Sequence, residues 1–228
     1  MTTDTQTAPA NGLAVTVADL RCNRRKHGLA AVLRKIARRA LTTLHSRDEL
    51  VLMVKDLGEV TETAIDEALV VEETSAGHLP ALYEFNRKRC FSKADARAAA
   101  ALDRGHRGFV AYVGDELVGY YWWVDAEIEP HHPDVARYRL GLDLGPGEVY
   151  GYDFFMLEEH RGNGKSTEFL HKIEAGLRQL GYGIVWGYVE TNNRPARWLY
   201  GLRGYKPVRQ VAIRRVLGRR VRTRVEDC

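Results

Sequence analysis

The sequence contains no apolar run near the ~20 residues that a membrane-spanning helix requires, so we expect a soluble protein. Its polar start, "MTTDTQTAPANG", lacks the apolar stretch of a secretory signal and predicts a disordered lead-in over residues 1–12. Only three cysteines are present, far apart and without a CxxC pair, which argues against a disulfide framework or a zinc site. We therefore predict free thiols, no metal and a cytoplasmic location.

Acidic residues are absent from two segments of the chain. Residues 21–47 and 203–224 each carry nine basic side chains and no acidic one, whereas residues 48–202 hold 16 basic and 26 acidic side chains. The first basic segment contains no Phe, Trp or Tyr and the second contains only Tyr205, so we expect no nucleic-acid binding. The net charge of +4 thus describes an acidic body with two cationic flanks.

Residues 28–44 place apolar side chains at three- and four-residue steps, with Arg and Lys between them, which predicts a basic amphipathic helix. We assign residues 13–48 to a helical extension and residues 49–228 to the main domain. The helix either docks on its own domain or makes peripheral contact with an anionic surface, such as the inner membrane leaflet, through residues 28–45. The pattern alone leaves both alternatives open.

The rest of the chain predicts an α/β domain. The predicted elements are a strand at 49–57, two helical pieces within 79–104, a hairpin at 108–125, a strand at 148–158, a helix at 164–180, a strand at 183–190, a helix at 194–202 and a C-terminal pair of strands that turns at Gly218. A hairpin leading into alternating strands and helices indicates a mixed sheet flanked by helices.

The stretch "MLEEHRGNGKSTEFL" carries a phosphate-binding signal with two interpretations. A nucleoside-triphosphate P-loop ending in Gly164-Lys165-Ser166 needs a glycine at position 159, where this sequence has Glu159. The missing glycine argues against a P-loop and favours a different phosphate-binding loop, which begins at Arg161. A strand that turns through glycines into a helix still presents backbone N–H groups and a helix dipole to a phosphate.

From Arg161, the same stretch resembles the acyl-CoA-binding signature of the GNAT superfamily of N-acyltransferases. Arg161, Gly164 and Ser166 occupy its defining positions, with Ser166 where Gly or Ala is usual. The later stretch "TNNRPARWLYGLRGYKP" is similar to the family's second signature. Its matching residues are Asn193, Ala196, Tyr200, Gly204 and Tyr205, the last in place of Phe.

The resemblance implies a mixed, mostly antiparallel sheet, splayed at an acyl-CoA cleft between the strands at 150–157 and 183–190. It implies that acetyl-CoA or another acyl-CoA is the co-substrate and assigns residues to it. These cofactor-binding residues are Met156, Leu157, Arg161, Gly162, Asn163, Gly164, Lys165, Ser166, Thr167, Asn193 and Arg197. For Asn193, a role with the pantetheine arm is implied.

The resemblance also implies that the phenol of Tyr200 protonates the leaving thiolate, since a phenol is protonated at neutral pH. Asp153 and Glu148, on or beside the strand at 148–158, are candidates for the general base. Strand alternation places them on opposite faces, and we favour Asp153.

Asp125, Glu127 and Glu129 recur at alternate positions beyond the aromatic strand "GYYWW". They either line a site for a cationic acceptor, such as an amino sugar or a polyamine, or solubilise a loop. The resemblance implies an N-acyltransferase, most simply an N-acetyltransferase, that acts on a primary amine of a small molecule or sugar by direct attack in a ternary complex. The alternative is a catalytically silent acyl-CoA-binding sensor or scaffold.

Overall fold

The structure is a computed structural model that describes residues 21–22, 24–26, 28–30, 33–34, 45–59, 68–91, 93–128, 142–161, 164–216 and 219–228. Eight strands and four helices follow one another along the described chain from residue 45 onward. The strands are β1 (His45–Asp56), β2 (Leu69–Glu73), β3 (Arg107–Val113), β4 (Glu116–Asp125), β5 (Glu148–Met156), β6 (Ile184–Glu190), β7 (Lys206–Val216) and β8 (Arg219–Asp227). The helices are α1 (Leu79–Lys88), α2 (Lys93–Asp103), α3 (Lys165–Gln179) and α4 (Arg194–Leu202).

All eight strands join one sheet in the order β2-β3-β4-β5-β6-β1-β7-β8. Only β5 and β6 pair in parallel, and every other neighbouring pair is antiparallel. The predicted mixed, mostly antiparallel α/β sheet is therefore confirmed. The first strand, β1, lies deep in the sheet between β6 and β7, an arrangement that no local pattern predicts.

Helices cover the two faces of the sheet. On one face the apolar side of α3, with Phe169 and Ile173, shares a core with Leu199 and Tyr200 of α4. On the other face Phe85 of α1 belongs to a second core together with Tyr120 and Trp122 of β4. We call these the α3–α4 face and the α1–α2 face.

The boundaries of most predicted elements hold to within two residues. Helix 194–202 and the hairpin at Gly114-Asp115 agree with the structure, whereas β1 starts at His45, four residues before its predicted start. Strand β2 was not predicted, because its five residues, "LVVEE", are too short to show a clear period. Residues 217–218, at the predicted turn between β7 and β8, lie outside the described part.

The described residues between 21 and 34 are helical, so helical structure is present before the predicted start at Gly28, whose φ is 79°. His45 belongs to β1, so the predicted helical extension over residues 13–48 is wrong at its end. Residues 1–20 and 35–44, which include the predicted lead-in, are outside the described residues. Across the described chain, no helix is both long and apolar enough to span a membrane.

Cys22 and Cys90 form a disulfide with 5.5 Å between their Cα atoms, so the prediction of free thiols is wrong for this pair. The two cysteines are 68 residues apart in the sequence and meet only through the fold, which is why their spacing gave no signal. Cys228 is free and exposed. The cysteines consequently give no support to a reducing compartment.

Candidate active site

The sheet opens between β5 and β6. Their parallel pairing runs from Glu148 and Ile184 to Gly151 and Gly187 and then stops. Beyond that point β5 stays with β4 as far as Met156, and β6 stays with β1 as far as Glu190. The two strands therefore diverge, and backbone groups on their facing edges lie where a ligand can hydrogen-bond to them.

A bulge in β5 marks the start of this divergence. Tyr152 pairs with Trp122 and Phe155 with Tyr120, so two residues of β5 oppose the single residue between those partners. One of the two, Asp153, has a φ of 51°, in the left-handed region. A bulge bends the strand that carries it, and here it turns the end of β5 away from β6.

The hydroxyl of Tyr121 lies against the backbone of Gly151, the last β5 residue paired with β6. A Cβ at Gly151 would lie 1.6 Å from the Tyr121 oxygen, so a larger residue here would require the buried Tyr121 side chain to move. Tyr121 is buried, and its pKa is raised by burial and next by the nearby phenol of Tyr200. The Tyr121 phenol is therefore close both to Gly151, where the opening starts, and to the phenol of Tyr200.

The predicted phosphate loop leads from β5 into α3. Gly164 precedes the helix with a φ of 80°, a conformation that favours glycine. The first bond of the helix runs from the Glu168 N–H to the Gly164 carbonyl, so the N–H groups of residues 165–167 lie at the positive helix end. Gly162 and Asn163 are outside the described residues.

Arg161 is held beside the end of β5. Its Nε donates to the Met156 carbonyl at 2.8 Å, and its guanidinium carbon lies 4.7 Å from the centroid of the Phe155 ring. The Ser166 hydroxyl contacts the Met156 sulfur at 3.5 Å. Arg161, Met156 and Ser166 are thereby brought together at one end of the opening, as the resemblance implies. Leu157 lies beside them and is buried.

Tyr200 is buried in the core on the α3–α4 face, and its ring meets that of Tyr205 edge to face. Burial raises the pKa of Tyr200 above its ordinary value, and the carboxylate of Glu174 raises it further. The phenol is accordingly protonated at neutral pH, which a general acid requires.

A buried charge cluster centred on Glu174 lies behind Tyr200. Glu174 Oε2 accepts from Lys55 Nζ at 2.6 Å and from Arg203 Nη2 at 2.5 Å, and Arg203 Nη2 also lies 2.6 Å from His171 Nδ1. Burial and next Arg203 lower the pKa of His171. The cluster joins β1, α3 and the end of α4. Sequence reasoning missed it because its members are far apart in the sequence.

Asn193 and Arg197 both have local partners. The Asn193 side-chain oxygen accepts from the Ala196 N–H at 3.2 Å, which makes it the N-cap of α4. Arg197 donates to the Thr191 carbonyl at 3.2 Å and is exposed. The cap explains an asparagine here on structural grounds, while its predicted role with pantetheine stays a prediction.

The two candidate bases lie at different ends of β5. Asp153 is exposed on the bulge and accepts from the Tyr120 hydroxyl at 3.3 Å. Glu148 lies where β5 is still paired with β6, and its Oε2 accepts from Trp186 Nε1 and the Gly145 N–H, each at 3.1 Å. The geometry therefore brings Asp153, and not Glu148, to the opening.

His106 is a further titratable group beside the opening. Its Nδ1 lies 2.5 Å from the hydroxyl of Tyr152, the first residue of β5 beyond the paired segment. Burial and next Arg104 lower the pKa of His106, which leaves a neutral imidazole able to accept a proton. No motif in the sequence pointed to His106.

Asp125, the last residue of β4, lies away from the opening. Asp125 pairs with Val149 near the start of β5, and its Oδ2 accepts from the Tyr182 hydroxyl at 3.0 Å. Glu127 is exposed, and Glu129 is outside the described residues. Nowhere in the described ranges do three or more His, Cys, Asp or Glu side chains form a group that could hold a metal ion.

Comparison with known proteins identifies the family to which this fold belongs. The sequence model of the acetyltransferase (GNAT) family matches residues 71–205. The chain belongs to the acetyltransferase (GNAT) family, whose fold supports acyl transfer and whose members generally use acetyl-CoA.

Solved structures share this fold at low sequence identity. A conserved protein of unknown function from Staphylococcus epidermidis is 16% identical with a TM-score of 0.52, over 78% of this chain and 63% of its own. A glucosamine N-acetyltransferase region of a fungal multi-domain β-N-acetylglucosaminidase is 16% identical with a TM-score of 0.55, over 78% of this chain and 22% of its own.

A GNAT N-acetyltransferase from Sphaerobacter thermophilus is 15% identical with a TM-score of 0.50, over 84% of this chain and 57% of its own. The alignments span about three fifths of the length of the first structures matched, 63%, 63% and 58%. A comparison with curated proteins gives no match.

Proposed function

We propose that the protein is an N-acyltransferase that moves an acyl group, most simply acetyl, from acyl-CoA to a primary amine of a small molecule. The observation that best supports this function is the divergence of β5 from β6 beyond Gly151 and Gly187, next to the N-terminus of α3. The pantetheine arm enters this opening and hydrogen-bonds to the strand edges. The pyrophosphate binds at residues 161–167.

The charge of the pyrophosphate suits that binding place. The N–H groups at the start of α3 and the positive helix dipole attract an anion, and Arg161 adds a full positive charge beside them. Lys165 and Thr167, both half-buried in the first turn, are placed to add a charge and a hydroxyl. Binding here fixes the thioester relative to the opening.

Transfer proceeds by direct attack of the amine on the thioester carbonyl within a ternary complex. Tyr200 protonates the leaving thiolate, because its raised pKa keeps the phenol protonated. Asp153 is our choice for the group that takes the amine proton, directly or through water. His106, through Tyr152, is the second candidate for that role.

Two measurements test this function. Acetyl-CoA and longer acyl-CoAs should each raise the melting temperature, because they bind only the folded protein. Release of free CoA thiol should then depend on an added amine, in a panel that includes amino sugars and polyamines. Stabilisation by CoA without amine-dependent thiol release would establish the silent binding module instead. A melting temperature that no CoA compound changes would overturn both.

A further inference from the structure

Arg89, in the turn between α1 and α2, reaches over β4 and β5 on the α1–α2 face. Its guanidinium carbon lies 3.2 Å from the centroid of the Phe155 ring, so the cation is held against an aromatic surface. Arg89 Nη1 donates to the Tyr120 hydroxyl at 2.7 Å. The ring stack and the hydrogen bond together fix the position of the guanidinium.

This cation is half-buried, and among the described residues the carboxylate of Asp153 reaches it through the Tyr120 hydroxyl and not directly. Within the part of the chain that the structure describes, no carboxylate forms an ion pair with Arg89. A guanidinium carries five N–H donors in a planar fork that matches a carboxylate. A partly desolvated charge of this kind is stabilised by a bound anion.

Tyr120 connects Arg89 to the carboxylate of Asp153. Its hydroxyl accepts from Arg89 and donates to Asp153 Oδ2 at 3.3 Å. A positive and a negative side chain are thereby held on either side of one phenol, at the bulge where β5 leaves β6. The pair offers complementary partners to a molecule that carries both an amine and an anionic group.

The position of this pair suits the acceptor. Tyr200 and the start of α3 belong to the α3–α4 face, where the resemblance places the thiol and pyrophosphate of CoA. Phe85 and Tyr120 form an aromatic core with Phe155 on the opposite face. With the thiol and pyrophosphate of CoA held on the α3–α4 face, the α1–α2 face is open for an amine to approach the thioester carbonyl.

We infer that Arg89 binds a carboxylate of the acceptor while Asp153 receives its amine, so that the acceptor is a zwitterionic small molecule of the amino-acid class. The inference rests on the proposed function, since it names the substrate of the same opening. It contrasts with the cationic acceptor expected from Asp125, Glu127 and Glu129. Asp125 accepts a hydrogen bond from the Tyr182 hydroxyl, and the structure does not bring Asp125 to the opening.

The test compares free amino acids with their α-amides and their decarboxylated amines, at equal concentrations of unprotonated amine. Thiol release from acetyl-CoA is measured for each trio. We expect the free acid to exceed the other two by about 10- to 100-fold in kcat/KM, the range of one charged hydrogen-bonded contact. Arg89→Met should abolish this preference, mainly through KM, and Arg89→Lys should keep part of it.

Arg87→Met is the matched control, because Arg87 is an exposed arginine at the end of α1, two residues before Arg89. It should leave all three rates unchanged. Arg89→Met should also keep the melting-temperature rise with acetyl-CoA, which shows that the fold and the CoA site are intact. Loss of that rise would assign Arg89 to CoA binding and overturn the inference.

Two further outcomes separate the inference from the function. Efficient transfer only to amines that lack an anionic group, or an unchanged preference in Arg89→Met, overturns the inference and leaves the acyltransferase intact. Acetyl-CoA binding without transfer to any amine overturns the proposed transfer and the inference with it.

Discussion

The ring of Tyr205 lies edge-on to that of Tyr200, with 4.6 Å between the two centroids. Both side chains are buried on the α3–α4 face, and burial raises the pKa of each phenol. The two tyrosines therefore share one environment, but only Tyr200 has a chemical role in the proposed reaction.

Removing the Tyr200 hydroxyl should slow turnover without weakening CoA binding. We expect Tyr200→Phe to lower kcat by about 10²-fold or more, the lower part of the range for a lost general acid. Tyr205→Phe is the matched control, because it deletes a buried phenol oxygen next to the same ring. Steady-state thiol release and acetyl-CoA titration measure the two effects. Equal losses in both variants would place the effect in packing and not in acid catalysis.

The alkaline limit of the pH–rate profile should follow the pKa of Tyr200, which burial raises most and which is raised further by the carboxylate of Glu174. Its negative charge disfavours the Tyr200 phenolate and so raises the pKa of the phenol. Glu174→Gln removes that charge, so the alkaline limb of kcat should move to lower pH, while burial keeps it above the ordinary value of about 10.

Glu168→Gln is the control, since Glu168 lies on the same helix and pairs with Lys172 instead. It should leave the limb in place. Melting temperatures check that both variants are folded before the profiles are compared. An alkaline limb that does not respond to Glu174→Gln would show that another group limits the rate.

The contact between Tyr121 and Gly151 predicts that substitution of Gly151 by a larger residue destabilises the protein. Gly151→Ala would place a Cβ 1.6 Å from the Tyr121 oxygen and should cost about 1–3 kcal/mol in the free energy of unfolding, as overpacked cores do. Across the strand pair, Gly187→Ala meets only the Gly151 carbonyl at 3.5 Å, an ordinary contact. Urea denaturation should therefore separate the two variants, and equal stability would show that Tyr121 moves aside.

The disulfide predicts a redox-dependent stability. Cys22→Ser should lower the free energy of unfolding by about 2–4 kcal/mol under oxidising conditions and make it insensitive to dithiothreitol. Cys228→Ser, at the exposed free cysteine, should change neither. Peptide mapping without reductant should recover Cys22 linked to Cys90. Recovery of both as free thiols would refute the disulfide.

The basic helix predicts binding to anionic vesicles. Leu29 and Leu33 lie one turn apart and are each 58% exposed, beside the exposed Arg25 and Arg34. Co-sedimentation should occur with phosphatidylserine vesicles and not with phosphatidylcholine alone, and it should weaken with salt. Leu29→Ser with Leu33→Ser should reduce it, because the apolar contact is lost. Absence of binding to both vesicles would make the helix a packing element, and equal binding to both would contradict the role of the basic residues.

Sequence reasoning predicted the elements with strong periods and the motifs whose residues are close in the chain. The hairpin β3–β4, the helix α3 and the capped helix α4 were predictable for this reason. The bulge at Asp153, the Glu174 cluster and the pair of Arg89 with Tyr120 were not. Each of these forms between elements far apart in sequence, and their geometry depends on strand register, which the chain sets only when it folds.

The place of β1 in the sheet has a consequence for the order in which this protein can assemble. Residues 50–56 of β1 pair with β6, and most of β1 also pairs with β7, more than 125 positions later in the chain. Contacts this distant form slowly because a long loop must close first. During synthesis, β1 has no strand partner until residues 184–216 have been made. The wall of the opening that β6 supplies is therefore completed among the last steps of folding, and residues 71–205 alone would lack the strand that supports it.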